Sequence, residues 1–147
     1  MLKVLKACPC IVRDNRILAF VHPDGSFQIP KGSVEDHESI EEAVLRELAE
    51  ESGIQTGTIS DKIGEMDWLI EAGTTTYSRA QHQAWHIYLI DPGKSLPDNW
   101  QHKAVGSKAE EGLIFSYFWQ PLDDRPEAFH PVYLQVIDMV EAHLNKF

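Results

Sequence analysis

Three glutamates crowd one short stretch of this 147-residue chain: Glu47, Glu50 and Glu51. On an α-helix, residues three and four positions apart are neighbours, so this spacing puts the carboxylates on one patch with Cβ atoms about 5–6 Å apart. Like charges at that spacing repel one another unless a cation lies between them. A hard divalent cation suits the patch, because Mg²⁺ and Mn²⁺ prefer carboxylate oxygen and water and often share such sites with substrate phosphates.

The segment around these glutamates is strongly acidic. From Glu35 to Glu51 the sequence has eight carboxylates and one arginine, Arg46. The alternative interpretation is a solvated helix face that binds nothing, which is common among acidic helices. Two details argue against it. Glu50 and Glu51 come just before Gly53, where the helix dipole disfavours anions, and Arg46 is suited to fixing the orientation of a neighbouring carboxylate.

Nine positions of this region fit one spaced pattern, Gly-x5-Glu-x7-Arg-Glu-U-x-Glu-Glu-x-Gly-U, where U is aliphatic. The residues that fit are Gly32, Glu38, Arg46, Glu47, Leu48, Glu50, Glu51, Gly53 and Ile54. This pattern is the Nudix box, and the chain therefore resembles the Nudix hydrolase family. The box covers 23 residues. The Pro30-Lys31-Gly32 entry, the order of strands around the box and the later Trp119-Gln120-Pro121-Leu122 extend the resemblance over the whole chain, although only the box is diagnostic.

The resemblance implies a hydrolase that cleaves the pyrophosphate linkage of a nucleoside diphosphate attached to another moiety, with Mg²⁺ or Mn²⁺ as cofactor. A pyrophosphate is polyanionic, so water cannot attack it readily until a metal neutralises the charge and lowers the pKa of that water. Carried over by position, the metal ligands would be Glu47, Glu50 and Glu51. Arg46 would orient one carboxylate, and the Gly32 carbonyl is a further candidate ligand.

Other residues near the box could have supporting or direct roles. Glu38 is expected to support the loop, with a direct catalytic role as the alternative. Lys31 could bind a phosphate oxygen as a point charge, or it could be an exposed lysine without function. The family often adds a carboxylate from a later loop as base or extra ligand. Glu110 and Glu111 are the candidates here, and Glu111 is preferred.

Five aromatic residues could stack on a nucleobase: Phe27, Trp68, Tyr77, Trp85 and Trp119. Most aromatic side chains of such a domain belong to the core, so we expect one or two of the five to contact substrate. Phe27, close to the box, is assigned to substrate binding.

Two further groups are expected to be structural. His82 and His86 have the spacing of a zinc-binding pair, but that spacing serves only on a helix. Their surroundings predict a strand, where the rings would lie over ~13 Å apart. Cys8 and Cys10 are too close together in an extended chain for an easy disulfide, and two thiols cannot make a structural zinc site. They are interpreted as buried core residues or exposed free thiols.

The elements that must position these residues follow from the hydrophobic pattern. Ser39 and Glu42 form a capping box at the start of a helix, and Gly53 suits its C-terminal cap. A second helix is predicted from Pro131. Strands are predicted over 4–12, 17–22, 27–29, 62–70, 83–90 and 113–119. The intervening turns and loops are 13–16, which makes a hairpin, 23–25, 73–76 and 91–108.

Strands interleaved with two helices predict the α/β class, with helices on the faces of a mixed sheet. The resemblance narrows this to a Nudix-type α/β/α sandwich with a mixed central β-sheet. The length of 147 residues and the 43% apolar content predict a single Nudix hydrolase domain over residues 1–147.

The composition also limits the classes of partner that the chain is expected to bind. The formal net charge is -10, so the surface should repel nucleic acid and anionic membrane, and neither is expected as a partner. No stretch has the pattern of a signal peptide or a membrane span, which predicts a cytoplasmic protein. The expected partner is a small-molecule nucleotide substrate, and the resemblance is compatible with a homodimer.

The substrate itself stays open. Trp68-Leu69-Ile70-Glu71 stands where relatives that act on dinucleoside polyphosphates often have a tyrosine, so a nucleoside triphosphate or another nucleotide derivative is a broad expectation. One competing hypothesis is a Nudix-like module that senses a nucleotide without hydrolysing it, which the complete glutamate set argues against. A weaker one is an acidic helix that docks a basic protein.

Overall fold

The computed structural model describes residues 2–73 and 79–146, and within these ranges it has nine strands and two helices. The strands are β1 Leu2–Cys10, β2 Val12–Arg13, β3 Arg16–Val21, β4 Phe27–Gln28, β5 Gly32–Ser33, β6 Thr58–Ile70, β7 Gln81–Asp91, β8 Trp100–Lys103 and β9 Ile114–Pro121. The helices are α1 Ile40–Ser52 and α2 Pro131–Leu144. Of the connection expected at 73–76, residues 74–76 lie outside the described residues.

The first sheet is mixed and has the strand order β5-β1-β7-β6. β1 runs parallel to β7, whereas β5 and β6 pair antiparallel with their neighbours. On the short edge strand β5, Gly32 lies opposite Ala7 and Ser33 lies opposite Lys6. Because successive side chains of a strand alternate between faces, Gly32 and Ser33 look toward opposite faces of this sheet.

The second sheet is antiparallel, with the order β2-β3-β9-β8 and with β4 paired to β3. β2 and β3 are joined through Asp14 and Asn15, whose φ angles of 51° and 61° are left-handed. Such angles are those of a two-residue hairpin turn, so the hairpin predicted at 13–16 is confirmed. Its first arm is only the two-residue β2. Most of the strand predicted at 4–12 is β1, which pairs in the other sheet.

The two helices cover the sheets from opposite sides. α1 packs Val44 and Leu48 into a core cluster that includes Ala7 of β1. α2 packs Ile137 into a second cluster that includes Cys8. Since Ala7 and Cys8 are consecutive residues of one strand and point to opposite faces, the layers are helix, sheets and helix. The α/β/α sandwich with a mixed sheet expected from the sequence is confirmed.

The loop predicted over 91–108 is wrong in part, because it contains β8. This strand pairs with β9, from Trp100 opposite Tyr117 to Lys103 opposite Ile114. The rings of Trp100 and Tyr117 stack with centroids 4.9 Å apart. The strand has only four residues and lies between prolines and glycines, so an alternation of apolar and polar residues cannot be recognised in the sequence. The ring pair across the two strands stabilises β8, and local strand propensity does not reveal such a tertiary contact.

Cys8 and Cys10 are both buried free thiols, which is the first of the two alternatives expected for them. Neither helix of the described residues has the length and apolar character required to span a membrane.

Candidate active site

The candidate site lies at the C-terminal half of α1, whose two ends are fixed by local sequence. The Ser39 hydroxyl accepts a hydrogen bond from the Glu42 amide, and the Glu42 carboxylate accepts one from the Ser39 amide. The helix ends at Gly53, whose φ of 83° is left-handed and favours glycine. The capping box and the glycine cap are therefore as predicted, and they leave the three glutamates in the last two turns.

Arg46 is the centre of a carboxylate network. Its Nε and Nη2 donate to Glu38 at distances from 2.5 to 3.2 Å. Its Nη1 donates to Glu47 Oε1 at 2.8 Å and to Glu50 Oε1 at 3.0 Å. The hydrogen bonds from Arg46 lower the pKa of Glu38. These contacts are the ones expected if Arg46 orients Glu47 and if Glu38 supports the site rather than reacting.

Gly32 lies directly against the carboxylate of Glu47. A Cβ at this position would overlap that carboxylate. Glu47 itself is only 7% exposed, so the side chain has little room to move aside. The backbone of β5 therefore forms one wall of the site, and only glycine leaves space there.

Glu51 is the most deeply buried of the three glutamates, with 2% of its surface exposed. Its Oε2 accepts a hydrogen bond from the Lys31 amide at 3.3 Å. Its Oε1 has no hydrogen-bond partner among the described residues. A buried carboxylate oxygen without a partner is destabilising, so this atom indicates that a cation or a water normally satisfies it.

Burial raises the pKa of both Glu47 and Glu51. Arg46 opposes the change at Glu47, and Lys31 opposes it at Glu51. Glu110 adds to the shift at Glu51. A bound divalent cation would lower these pKa values again, because it stabilises the ionised carboxylates.

The loop between β8 and β9 covers the end of α1. The Val105 amide donates to the Glu50 carbonyl at 3.2 Å, and a Cβ at Gly106 would overlap the Glu50 carboxylate. Exposed Glu111 accepts a hydrogen bond from the Gly106 amide at 2.6 Å, which shapes the loop itself. Half-buried Glu110 is instead one of the charges that act on Glu51. Glu110, rather than the preferred Glu111, is thus the residue whose charge acts on Glu51, and which of the two is the later-loop carboxylate stays a prediction.

The glutamates do not form a ready-made metal site. Within residues 2–73 and 79–146, no group of three or more His, Cys, Asp or Glu side chains is arranged for shared ligation. Arg46 explains this, since one of its nitrogens hydrogen-bonds both Glu47 and Glu50. The donor set still fits Mg²⁺ or Mn²⁺, because carboxylate oxygens are hard ligands and Glu51 Oε1 is buried without a partner in the described chain.

A cavity of about 380 Å³ lies next to this cluster, and Lys31 and Lys6 line it together with Trp68, Trp85 and Tyr133. The backbone of Lys31 contacts Glu51, and its side chain interacts electrostatically with Tyr133. Burial alone would lower the pKa of Lys31, but interactions with Tyr133, Glu51 and Glu110 raise it above its ordinary value. Lys31 is therefore a cation between the glutamates and the cavity, where a phosphate contact is expected.

The structure distinguishes the aromatic candidates that line the cavity from those that lie elsewhere. Trp68 and Trp85 line the cavity. Phe27 packs edge-on against Phe118 and Phe129, with ring centroids 5.0 and 5.4 Å away, in the cluster under α2. Phe27 is not among the residues that line the cavity, so its assignment to substrate binding is not supported by its contacts.

The remaining candidates have structural surroundings or lie outside the described residues. Trp119 is buried beneath the Arg13 guanidinium, 4.1 Å from the ring centroid. Tyr77 is outside the described residues. His82 and His86 lie on β7, as predicted, and each pairs with a different carboxylate of β6, at 2.7 and 2.9 Å.

Sequence reasoning missed two residues. Lys6 lines the cavity, and its only signal was a lysine inside an otherwise apolar strand. The Tyr117 hydroxyl is buried without a hydrogen-bond partner among the described residues. Burial raises the pKa of Tyr117, and the charges of Glu51 and Glu110 raise it further. The apolar stretch around Tyr117 predicted a buried strand but not that this ring lies near the glutamates.

The chain is similar to known proteins in sequence and in fold. A family model described as NUDIX domain matches residues 5–139. An RNA pyrophosphohydrolase from Hydrogenovibrio crunogenus is 27% identical over an alignment of 131 residues that covers 83% of this chain and 77% of that protein. A NAD-capped RNA hydrolase from Escherichia coli is 33% identical over 99 residues, which cover 63% of this chain but only 38% of that protein. A crystal structure of a MutT NUDIX hydrolase from Burkholderia pseudomallei superposes with a TM-score of 0.66 at 24% identity, covering 95% of this chain and 99% of that one.

Proposed function

The chain belongs to the NUDIX family of hydrolases, which act on pyrophosphate bonds, and from that premise we propose that it hydrolyses a nucleotide derivative with bound Mg²⁺ or Mn²⁺. One observation carries the proposal. Two buried glutamates, Glu47 and Glu51, lie with Glu50 beside a cavity, and Lys31 contacts both the cluster and the cavity.

The three glutamates would hold the cation, with the Gly32 carbonyl as a further ligand. When bound, the cation would neutralise the diphosphate and lower the pKa of the attacking water. Arg46 would release Glu47 and Glu50 for this purpose while it stays anchored to Glu38, to which it makes its shortest contact at 2.5 Å.

The residues around the cluster have separate tasks. Lys31 would bind a phosphate oxygen and orient the diphosphate. Glu110 would accept the proton of the attacking water at its carboxylate, since it is the later-loop carboxylate whose charge acts on Glu51. Glu111 would only shape the loop through the Gly106 amide.

The cavity would take the nucleoside. Trp68 and Trp85 offer apolar ring surfaces, and Gln28 lines the same cavity with an amide that accepts a hydrogen bond from the Tyr133 hydroxyl at 3.3 Å. Apolar walls with a few polar groups are the usual composition of a small-molecule site. The cavity therefore supports a substrate that has a base at one end and phosphates at the other.

RNA with a phosphorylated 5′ end is the second candidate substrate. It is favoured by the names of the two relatives, an RNA pyrophosphohydrolase and a NAD-capped RNA hydrolase. The net charge of -10 argues against it, because the surface as a whole repels a polyanion. The expectation that nucleic acid is not a partner thus stays a prediction to be tested.

We further propose that residues 1–147 act as one domain. A homodimer and a cytoplasmic location stay predictions.

A substrate panel tests the function. The full chain is incubated with nucleoside triphosphates, nucleoside diphosphate sugars, dinucleoside polyphosphates and 5′-triphosphorylated RNA, each with Mg²⁺, Mn²⁺ or a chelator. We expect product release from at least one nucleotide, only with metal, and fastest at mildly alkaline pH. Nucleotide binding without hydrolysis of any substrate would favour the sensor alternative. Failure to bind either metal, with or without nucleotide, would overturn the proposal.

A further inference from the structure

Lys6 is a cationic residue of the first sheet whose side chain lines the cavity. It is a residue of β1 and lies opposite Trp85 of β7, which also lines the cavity. The next residue, Ala7, points to the other face and packs in the α1 cluster. Lys6 is therefore on the α2 side of the sheet, whereas Gly32, opposite Ala7, looks toward Glu47.

Among the described residues, the ammonium group of Lys6 has fewer hydrogen-bond partners than it has donors. Its Nζ donates to Ser33 Oγ at 3.0 Å, and Ser33 is its one hydrogen-bond partner in the part of the chain that the structure describes. An ammonium group has three donors, so two remain for a ligand. No carboxylate of the described residues forms an ion pair with it within 4.0 Å, although Glu47, Glu51 and Glu110 act on it from a distance.

Lys6 also lies near a second cation. Burial and, to a smaller extent, the charge of Lys31 lower the pKa of Lys6, and more distant carboxylates oppose them, so that the resulting pKa is about 8. Two lysines that repel each other inside one cavity are stabilised when an anion lies between them. Phosphate is the anion that the neighbouring glutamate cluster already implies.

The order of groups along the cavity determines which phosphate this is. Trp68 and Trp85 supply the apolar part of the wall, and the Lys31 amide touches Glu51 at the opposite boundary. Lys6 lies on β1 beside Trp85, whereas Lys31 makes the contact with Glu51, so Lys6 is the lysine on the tryptophan side of the cavity. We propose that Lys6 binds the phosphate attached to the nucleoside, and so determines specificity for a nucleotide rather than for any pyrophosphate.

This inference rests on the proposed function for its substrate, but it makes a separate prediction about binding. The nucleoside monophosphate portion should bind through Lys6 even when no bond is cleaved. Removing the ammonium should therefore raise KM with little change in kcat, because the phosphate contact is the same in the ground state and the transition state.

The test uses the full chain and four probes, AMP, GMP, CMP and UMP, with binding measured by calorimetry and by tryptophan fluorescence. K6M and K6Q remove the charge, and K6R keeps it. K3M is the matched control, because Lys3 is an exposed lysine of the same strand and points to the other face of the sheet. For at least one probe we expect K6M and K6Q to weaken binding by about 10-fold or more. K6R should stay within about 3-fold of the parent, and K3M should not differ from it.

The inference is overturned if the parent binds none of the four monophosphates, if K6M and K6Q bind like the parent, or if K3M weakens binding as much as they do. These results are distinguishable from a failure of the proposed function. Lys6-dependent binding in a protein that hydrolyses nothing would leave the inference standing without the enzyme. Normal hydrolysis with an unchanged KM in K6M would leave the enzyme standing without the inference.

Discussion

Arg46 and Glu50 form an ion pair one helical turn apart, with Nη1 and Oε1 separated by 3.0 Å. The same nitrogen lies 2.8 Å from Glu47 Oε1. One guanidinium nitrogen thus occupies oxygens of two of the three proposed metal ligands. A divalent cation bound by these glutamates, as proposed above, would therefore compete with Arg46, and the charge of the Glu50 carboxylate would favour the cation.

The first prediction concerns that charge. Glu50→Gln keeps the size of the side chain but removes the anion, so we expect turnover of the best substrate to fall by more than about 100-fold, beyond the 10–100-fold typical of residues that only orient a ligand. The fold should stay intact by circular dichroism. Glu41→Gln, at an exposed position in the first turn of α1, is the control and should retain activity. A Glu50→Gln variant as active as the parent would remove Glu50 from the ligand set.

The second prediction concerns the glycine of β5. Gly32→Ala places a methyl group where the Glu47 carboxylate now lies, so either the side chain or the strand must shift. A displacement of about 1 Å at a reacting centre lowers rates by up to about 100-fold, and we expect a loss of at least about 10-fold in kcat.

Gly64→Ala is the matched control for Gly32→Ala. Its new methyl group meets only the flexible end of Met139, at 2.8 Å, and Gly64 lies on β6 away from the glutamates. We expect unchanged kcat for this variant. Equal kcat values for the two variants would mean that the contact between Gly32 and Glu47 has no catalytic importance.

The third prediction separates two neighbouring carboxylates. Glu110→Gln should lower kcat by about 100-fold or more, as expected for loss of a general base. Glu111→Gln should lower it by less than about 10-fold, since the Glu111 carboxylate accepts a hydrogen bond from the loop amide of Gly106. Steady-state kinetics of the two variants decide between them, and a larger loss in Glu111→Gln would restore that residue as the later-loop carboxylate.

The fourth prediction concerns stability and pH. Burial lowers the pKa of His86 below 6.5, Glu65 opposes this change, and Lys62 and Lys3 add to it. As the pH falls through 6.5, the unfolded chain takes up the proton first, so His86 contributes stability above pH 6.5 that is lost in acid.

Removing this histidine should therefore flatten the pH dependence of unfolding. We expect His86→Gln to lose less free energy of unfolding between about pH 7.5 and about pH 5 than the parent does. Urea titrations at both pH values measure the difference. His37→Gln, at an exposed position of the loop before α1, is the control and should follow the parent. A steeper loss in His86→Gln than in the parent would contradict the assignment.

The elements with strong local signals were predictable from the sequence. The capping box of Ser39 and Glu42 and the proline at position 131 are short-range features, and both helices begin where these residues place them. Strand β8 was not predictable, because it is stabilised by its pairing with β9. Its partners lie from 11 residues along the chain, between Lys103 and Ile114, to 17 residues, between Trp100 and Tyr117.

The site was predictable where residues act through spacing along one helix. Arg46 and the three glutamates come together because a helix brings i, i+3 and i+4 positions onto one patch. Lys6 and Tyr117 come from strands distant in sequence, so no spacing rule could assign them. The assignment of Phe27 to substrate binding stays a prediction, and its contacts with Phe118 and Phe129 could not be read from the sequence because they depend on tertiary packing.

Gly32 and Ser33, the two residues of β5, contact different parts of the candidate site. Gly32 leaves room for Glu47 on one face, and Ser33 holds Lys6 on the other. A one-residue slip of a strand turns every side chain to the opposite face. A one-residue insertion or deletion between Pro30 and Ser33 would therefore turn a side chain toward Glu47 and remove the Ser33 contact of Lys6. A change of length in this segment would thus disturb the glutamate cluster and the lysine of the cavity at the same time.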